Sequence, residues 1–201
     1  MNLNNMIESL NKKIIEGAKM TQHRFKLFSL IILSAIFLTS CSNLDIQTLN
    51  LRAKALIDSG DIDGAIGRLE SINDLNPNFP QTHYNLGIAY NKKGEFDKAI
   101  KFLNEATKLN PKFADAYYSL AVIYENMALT IIEESSKEKK LAIDSVTKIL
   151  ENLKYSQESY AKYLTLTQNS SEKESIQVKL ESLNNDISKY QDIFIENSAE
   201  Q

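Results

Sequence analysis

Gly60 and Gly94 stand 34 residues apart, and so do Ala65 and Ala99, and Pro77 and Pro111. The turn Leu75-Asn76-Pro77-Asn78-Phe79 returns on the same spacing as Leu109-Asn110-Pro111-Lys112-Phe113. A period of this length changes the reading of the whole chain, because it marks a unit that stacks on copies of itself. The units read as helical. Across 201 residues there are only six Gly and three Pro, and no Trp. The long stretches rich in Leu, Ile, Ala, Lys, Glu and Asn lack the alternation of strands.

On these residues the chain resembles the tetratricopeptide-repeat (TPR) family, whose unit is a helical hairpin of about 34 residues. The clearest copy, 80–113, places Leu86, Gly87 and Tyr90 at the first-helix signature positions and Gly94 at the turn. Ala99, Leu103 and Ala106 take the second helix, and Pro111 the exit. A weaker copy spans 46–79, with Ala53, Leu56, Ala65, Leu69, Ile72 and Pro77 in the corresponding places. Small residues such as Gly87, Ala99 and Ala106 let helices approach, while Leu86, Tyr90 and Leu103 fill the space between them. The resemblance implies an all-α solenoid of about three repeats, in which these residues are core and turn rather than a site.

A third copy opens at Ala114, with Tyr117, Leu120, Ala121 and Tyr124 in place, but its second helix is displaced. Ser156 stands where Ala99 stands in the second repeat, and 32 residues separate it from Tyr124, against nine from Tyr90 to Ala99. The insertion contains a polar knot, Glu133-Glu134-Ser135-Ser136-Lys137-Glu138-Lys139-Lys140. The economical reading of 114–167 is one hairpin with both helices lengthened by about three turns, folding back at Ser135-Ser136. Ile131, Ile132, Leu141, Ile143, Val146, Ile149, Leu150 and Leu153 would then pack as an antiparallel arm. Two separate short helices are the alternative. Beyond it, Ser171 with Glu174 reads as a capping box. Ile176, Leu180, Leu183, Ile187 and Tyr190 then form the stripe of one C-terminal helix over 171–195, suited to capping the stack. A coiled-coil seam is the runner-up.

The N-terminus reads as an address. Arg24 and Lys26 precede an apolar run from Leu27 to Leu38, the order of a secretory signal, and the run of about 12 residues is short of the roughly 20 that a membrane-spanning helix needs. Leu38-Thr39-Ser40-Cys41 resembles the bacterial lipobox. That resemblance implies removal of 1–40 and a covalent lipid on Cys41, with 41–45 as a short tether. The signal is complete from Met20, so Met20 rather than Met1 is the expected start. Ser42 in place of Asp favours the outer membrane where a cell has two.

Composition narrows the function. From Cys41 onward the chain carries 18 Lys and Arg against 24 Asp and Glu, which supplies no basic stripe for nucleic acid. One cysteine makes no internal disulfide, and His83 is the only histidine beyond the export segment, so no metal cluster of Cys and His can assemble. Neither a nucleophile with its base nor a phosphate loop is present. The expectation is a protein that is not an enzyme, needs no cofactor and takes no small-molecule substrate. In TPR stacks the first helices line a groove for a partner peptide or helix, and family positions place Asn50, Lys54, Tyr84, Ile88, Asn91, Tyr118, Val122 and Glu125 there. Tyr84 and Tyr118 are the strongest contacts, because aromatic side chains anchor interfaces. The chaperone-binding subfamily grips a C-terminal carboxylate. Asn85 fits that pattern, but Asp115 stands at a basic position and would repel the ligand. The expected role is a membrane-anchored adaptor, accessory to envelope assembly, secretion or cell-wall machinery. A self-associating surface lipoprotein is the alternative.

Overall fold

The structure is a computed structural model describing residues 45–135 and 141–199, which form seven helices and no strand. The expected export signal over 1–40, the expected lipidation point Cys41 and Ser136 at the expected fold-back lie outside the described residues. Among the described residues no helix is long and apolar enough to cross a membrane.

The first helix, α1, covers 45–59, so Asp45, expected in the tether, is already helical. It is followed by α2 (Ile62–Leu75), α3 (Pro80–Lys93) and α4 (Phe96–Leu109). The turns inside the first two hairpins repeat bond for bond. Gly94 N–H donates to Asn91 O at 3.0 Å and Glu95 N–H to Tyr90 O at 2.9 Å, while Gly60 N–H donates to Ile57 O at 3.2 Å and Asp61 N–H to Leu56 O at 2.9 Å. This is the Schellman ending, which needs one left-handed residue. Gly60 and Gly94 supply it with φ of 89° and 81°, a conformation that is costly with a Cβ. The exits repeat as well. Asn76 N–H bonds to Ile72 O and Asn110 N–H to Ala106 O, each at 2.9 Å, and Pro77 and Pro111, which lack an amide, prevent the helix from resuming.

Helix-on-helix contact explains the small residues. A Cβ built on Gly87 would lie 2.6 Å from Leu103 Cγ and 3.2 Å from the carbonyl oxygen of Ala99, so α3 and α4 meet at a distance that only glycine permits. Around this contact Leu69, Leu86, Ala89, Ala99, Leu103 and Ala106 are fully buried. Each buried leucine contributes about 1.5–3 kcal/mol relative to exposure.

The third hairpin consists of α5 (Ala114–Ser135) and α6 (Ile143–Leu166), two continuous helices. They have 22 and 24 residues against 14 each in α3 and α4, an extension of two to three turns at about 3.6 residues per turn. Val146, Ile149, Leu150 and Leu153 are buried in the arm, with Ile131, Ile132 and Leu141 packed against them.

The arm does not stand alone. The last helix, α7 (Ser170–Ala199), runs further than the expected end at 195 and lays Ile176, Leu183, Ile187 and Tyr190 into the same core. The apolar stripe simply continues: Ile193 and Phe194 pack on the core, and Asn197 Nδ2 donates to Leu141 O at 2.8 Å. The capping residue also differs from the expected Ser171. Asn169 Oδ1 accepts from the backbone amides of Ser171 and Glu172 at 3.1 and 3.4 Å, and Asn169 Nδ2 donates to Glu172 Oε1 at 2.9 Å. Asparagine is at least as good a cap as serine, and it caps the helix two residues before Ser171.

Candidate functional site

Eight residues were assigned to the groove side, and the repeat puts them in register. Asn50, Tyr84 and Tyr118 are 34 apart, as are Lys54, Ile88 and Val122, and Asn91 and Glu125. Their environments differ along the stack. Asn50 is only 2% exposed, its Nδ2 donating to Thr82 Oγ1 at 2.9 Å and its Oδ1 accepting from Asn85 Nδ2 at 3.1 Å. It is a buried bridge from α1 to α3 and offers no side chain to a partner. Lys54 is exposed and paired with Asp58 at 2.7 Å. Ile88, Asn91 and Val122 are half-buried. Glu125 already accepts from Lys179 Nζ at 2.8 Å and Tyr160 OH at 3.2 Å, tying α7 and α6 to α5.

The two tyrosines are the exception. Tyr84 is half-buried against Phe113, ring centroids 4.9 Å apart. Tyr118 is 43% exposed and leans edge-on to Tyr160 at 5.8 Å, with Tyr163 at 5.2 Å. Between them opens a recess of about 290 Å³ lined by Tyr84, Asp115, Tyr118, Ser119, Tyr163 and Glu172. Asp115, Tyr118 and Ser119 share one face of α5 because residues three and four apart are neighbours on a helix. The rest come from α3, α6 and the start of α7.

Charge in the recess is negative. Glu172 accepts from Tyr163 OH at 2.5 Å, Thr167 Oγ1 at 3.0 Å and Asn169 Nδ2 at 2.9 Å. The bonds from Tyr163 and Thr167 hold its carboxyl below the usual carboxylate range. Burial raises the Tyr84 hydroxyl above its ordinary value; the Asp115 charge reinforces this, while a hydrogen bond with Ser119 and the charge of Lys54 oppose it. No Lys, Arg or His lines the recess.

Sequence reasoning picked out Tyr84 and Tyr118 and missed Tyr163, Ser119 and Glu172. Asp115 entered only as the residue that disfavours a carboxylate clamp. Asn85, the residue that fits the clamp, is 3% exposed and bonded to Asn50 and Gln81, so it does not reach a ligand. His83 is also structural: it is 7% exposed, and its Nε2 lies 2.6 Å from Pro77 O. Among the described residues no group of His, Cys, Asp and Glu is arranged to hold a metal ion. A second cavity of about 530 Å³ lies between α6 and α7, lined by Leu150, Phe194 and Ile195 together with charged residues.

Residues 56–124 match the family described as Tetratricopeptide repeat. No curated protein matches the chain. Among solved structures, the first TPR of Spaghetti (RPAP3), bound to the HSP90 peptide SRMEEVD, is similar at 19% identity and a TM-score of 0.53, covering 71% of this chain and 93% of that one. The type III secretion translocator chaperone SycD of Yersinia enterocolitica is 14% identical, with a TM-score of 0.48 and coverage of 70% and 84%. MamA protein is 22% identical, with a TM-score of 0.43 and coverage of 75% and 72%. The fold of this chain is that of a TPR solenoid.

Proposed function

We propose that this chain is a non-catalytic adaptor, held at a membrane surface by a lipid on Cys41, which docks a segment of another protein on the face formed by α1, α3 and α5. The observation that carries the docking reading is Tyr118. A tyrosine 43% exposed, beside a second half-buried tyrosine one repeat away and over an open recess, is the anchor type that interfaces favour: large, rigid and amphipathic. The TPR fold supports a protein or peptide as the partner, and the Spaghetti domain was solved with a peptide bound.

The anchoring half of the reading rests on the export signal and lipobox. With α1 helical from at least residue 45, fewer than five residues separate it from Cys41, and at roughly 3.5 Å per extended residue the repeats stay close to the lipid. An accessory role in envelope assembly, secretion or cell-wall machinery follows from that placement.

One in-cell experiment tests both halves. A photoreactive residue at Tyr84 or Tyr118 should yield a membrane-associated adduct with a distinct protein, while the same residue at Val178, exposed on α7, yields none. In a Cys41→Ser background the adduct should leave the membrane fraction. No adduct from either tyrosine would refute docking on this face. An adduct of the chain with itself would favour the self-associating reading.

A further inference from the structure

We infer that the recess between α3, α5, α6 and α7 takes a basic side chain, arginine or lysine, of the docked segment. This rests on the docking reading above and names the partner's chemistry.

The walls are aromatic and the floor is charged. Tyr84, Tyr118 and Tyr163 come from three different helices, and Tyr118 and Tyr163 are inclined at 59° with centroids 5.2 Å apart. Inclined rings around a small cavity offer more than one π-face to a single guest. Such faces carry negative quadrupole density and attract a cation within about 6 Å. Two carboxylates, Asp115 and Glu172, share the lining.

Both acids sit in the first turn of a helix, α5 and α7, where each offsets the positive end of its own dipole. That end amounts to roughly half a charge, so two helix termini leave about one negative charge in the recess. The bases nearby are already engaged. Lys54 is paired with Asp58, and Lys179 with Glu125, at 2.7 and 2.8 Å. Glu172 already accepts from three donors, whereas Asp115 has no ion pair among the described residues. The incoming cation therefore meets an open carboxylate on α5 and an ionised, fixed one on α7. A segment ending in a free carboxylate would meet the same two charges with the opposite sign.

The test uses the full chain in mild detergent, with ring-labelled tyrosine observed by NMR, and the probe acetyl-Gly-Ser-Arg-Ser-Gly-amide. Its control replaces arginine with citrulline, the neutral isostere. The ring signals of Tyr84, Tyr118 and Tyr163 should move saturably with the arginine peptide, and about tenfold more weakly with citrulline, as expected for cation–π attraction plus a surface ion pair. Asp115→Asn should narrow that difference while the remote ring signals of Tyr155 and Tyr190 stay in place, which reports that the fold is intact. Equal responses to the two peptides, a preference unchanged in Asp115→Asn, or no response would overturn the inference. The crosslinks at Tyr84 and Tyr118 assume nothing about partner charge. They show separately whether docking on this face survives.

Discussion

Ser156→Ala should make the protein more stable. Ser156 is fully buried on α6, and its hydroxyl has no hydrogen-bond partner. It holds the place that Ala65 and Ala99 hold in the first two repeats, both also fully buried. A buried, unbonded hydroxyl costs roughly 1–3 kcal/mol by mutational measures, and alanine gains about 0.5 kcal/mol of helix propensity over serine. Against these, one oxygen atom leaves a void of about 10 Å³, worth only ~0.3 kcal/mol at ~24 cal/mol per Å³. The net expectation is stabilisation of about 1–3 kcal/mol, or a rise of several degrees in Tm at roughly 2–4 °C per kcal/mol for a chain of this size. Urea and thermal unfolding followed by circular dichroism would read it, with an unchanged slope against denaturant. The control is Ser159→Ala: that hydroxyl bonds to Tyr155 O at 2.7 Å in an exposed setting, and its loss should change stability by under about 0.5 kcal/mol. A Ser156→Ala variant destabilised by 1 kcal/mol or more would refute the reasoning, since it would mean that the hydroxyl has a partner and the position is not the small contact of the other repeats.

Two further outcomes follow. Gly87→Ala gains about 1 kcal/mol of helix propensity but drives a Cβ to 2.6 Å from Leu103 Cγ, where overpacking costs about 1–3 kcal/mol; it should destabilise the wild type yet stabilise a Leu103→Ala background in urea unfolding, and additivity of the two changes would contradict the close approach. Glu172→Gln tests the start of α7 by pH: the wild-type carboxyl is held below its ordinary value of 4.5, first by Tyr163 and then by Thr167. A depressed carboxyl stabilises above the unfolded value and loses that contribution as pH falls through the folded one. The stability gap between wild type and Glu172→Gln should therefore be full at neutral pH and close on acidification below about pH 4.5; a gap independent of pH would show that the lost interaction is not ionic.

Much of the fold was legible because its signals are local and repeated. Gly60 and Gly94 mark the left-handed turns, Pro77 and Pro111 the exits, and Gly87 the close contact. The long third hairpin was legible from the displacement of Ser156 alone. The end of α7 and its cap were less so: Asn169 and Ser171 are both good capping residues, and only tertiary packing selects between them. The site was half legible. Tyr84 and Tyr118 share a repeat register, whereas the insertion carries Tyr163 and Glu172 off the 34-residue spacing, so the period alone does not point to them.

That division bears on where the proposed docking face lies in this chain. At one repeat position the residue changes from Asn50, buried and bonded across α1 and α3, to Tyr84, half-buried, to Tyr118, 43% exposed. In the first repeat the position belongs to the interface between hairpins. By the third it faces a recess whose other walls, Tyr163 and Glu172, come from α6 and the first turn of α7. A regular stack continued past α6 would place another first helix over this face with its own packing residues. Here α7 takes that place with a polar first turn, and Glu172, needed to close that turn, also supplies charge to the recess. The residues that end the stack are thus the residues that shape the proposed docking site, so substitutions at the start of α7 should alter stability and partner preference together, whereas substitutions at Gly60 or Gly94 should alter stability alone.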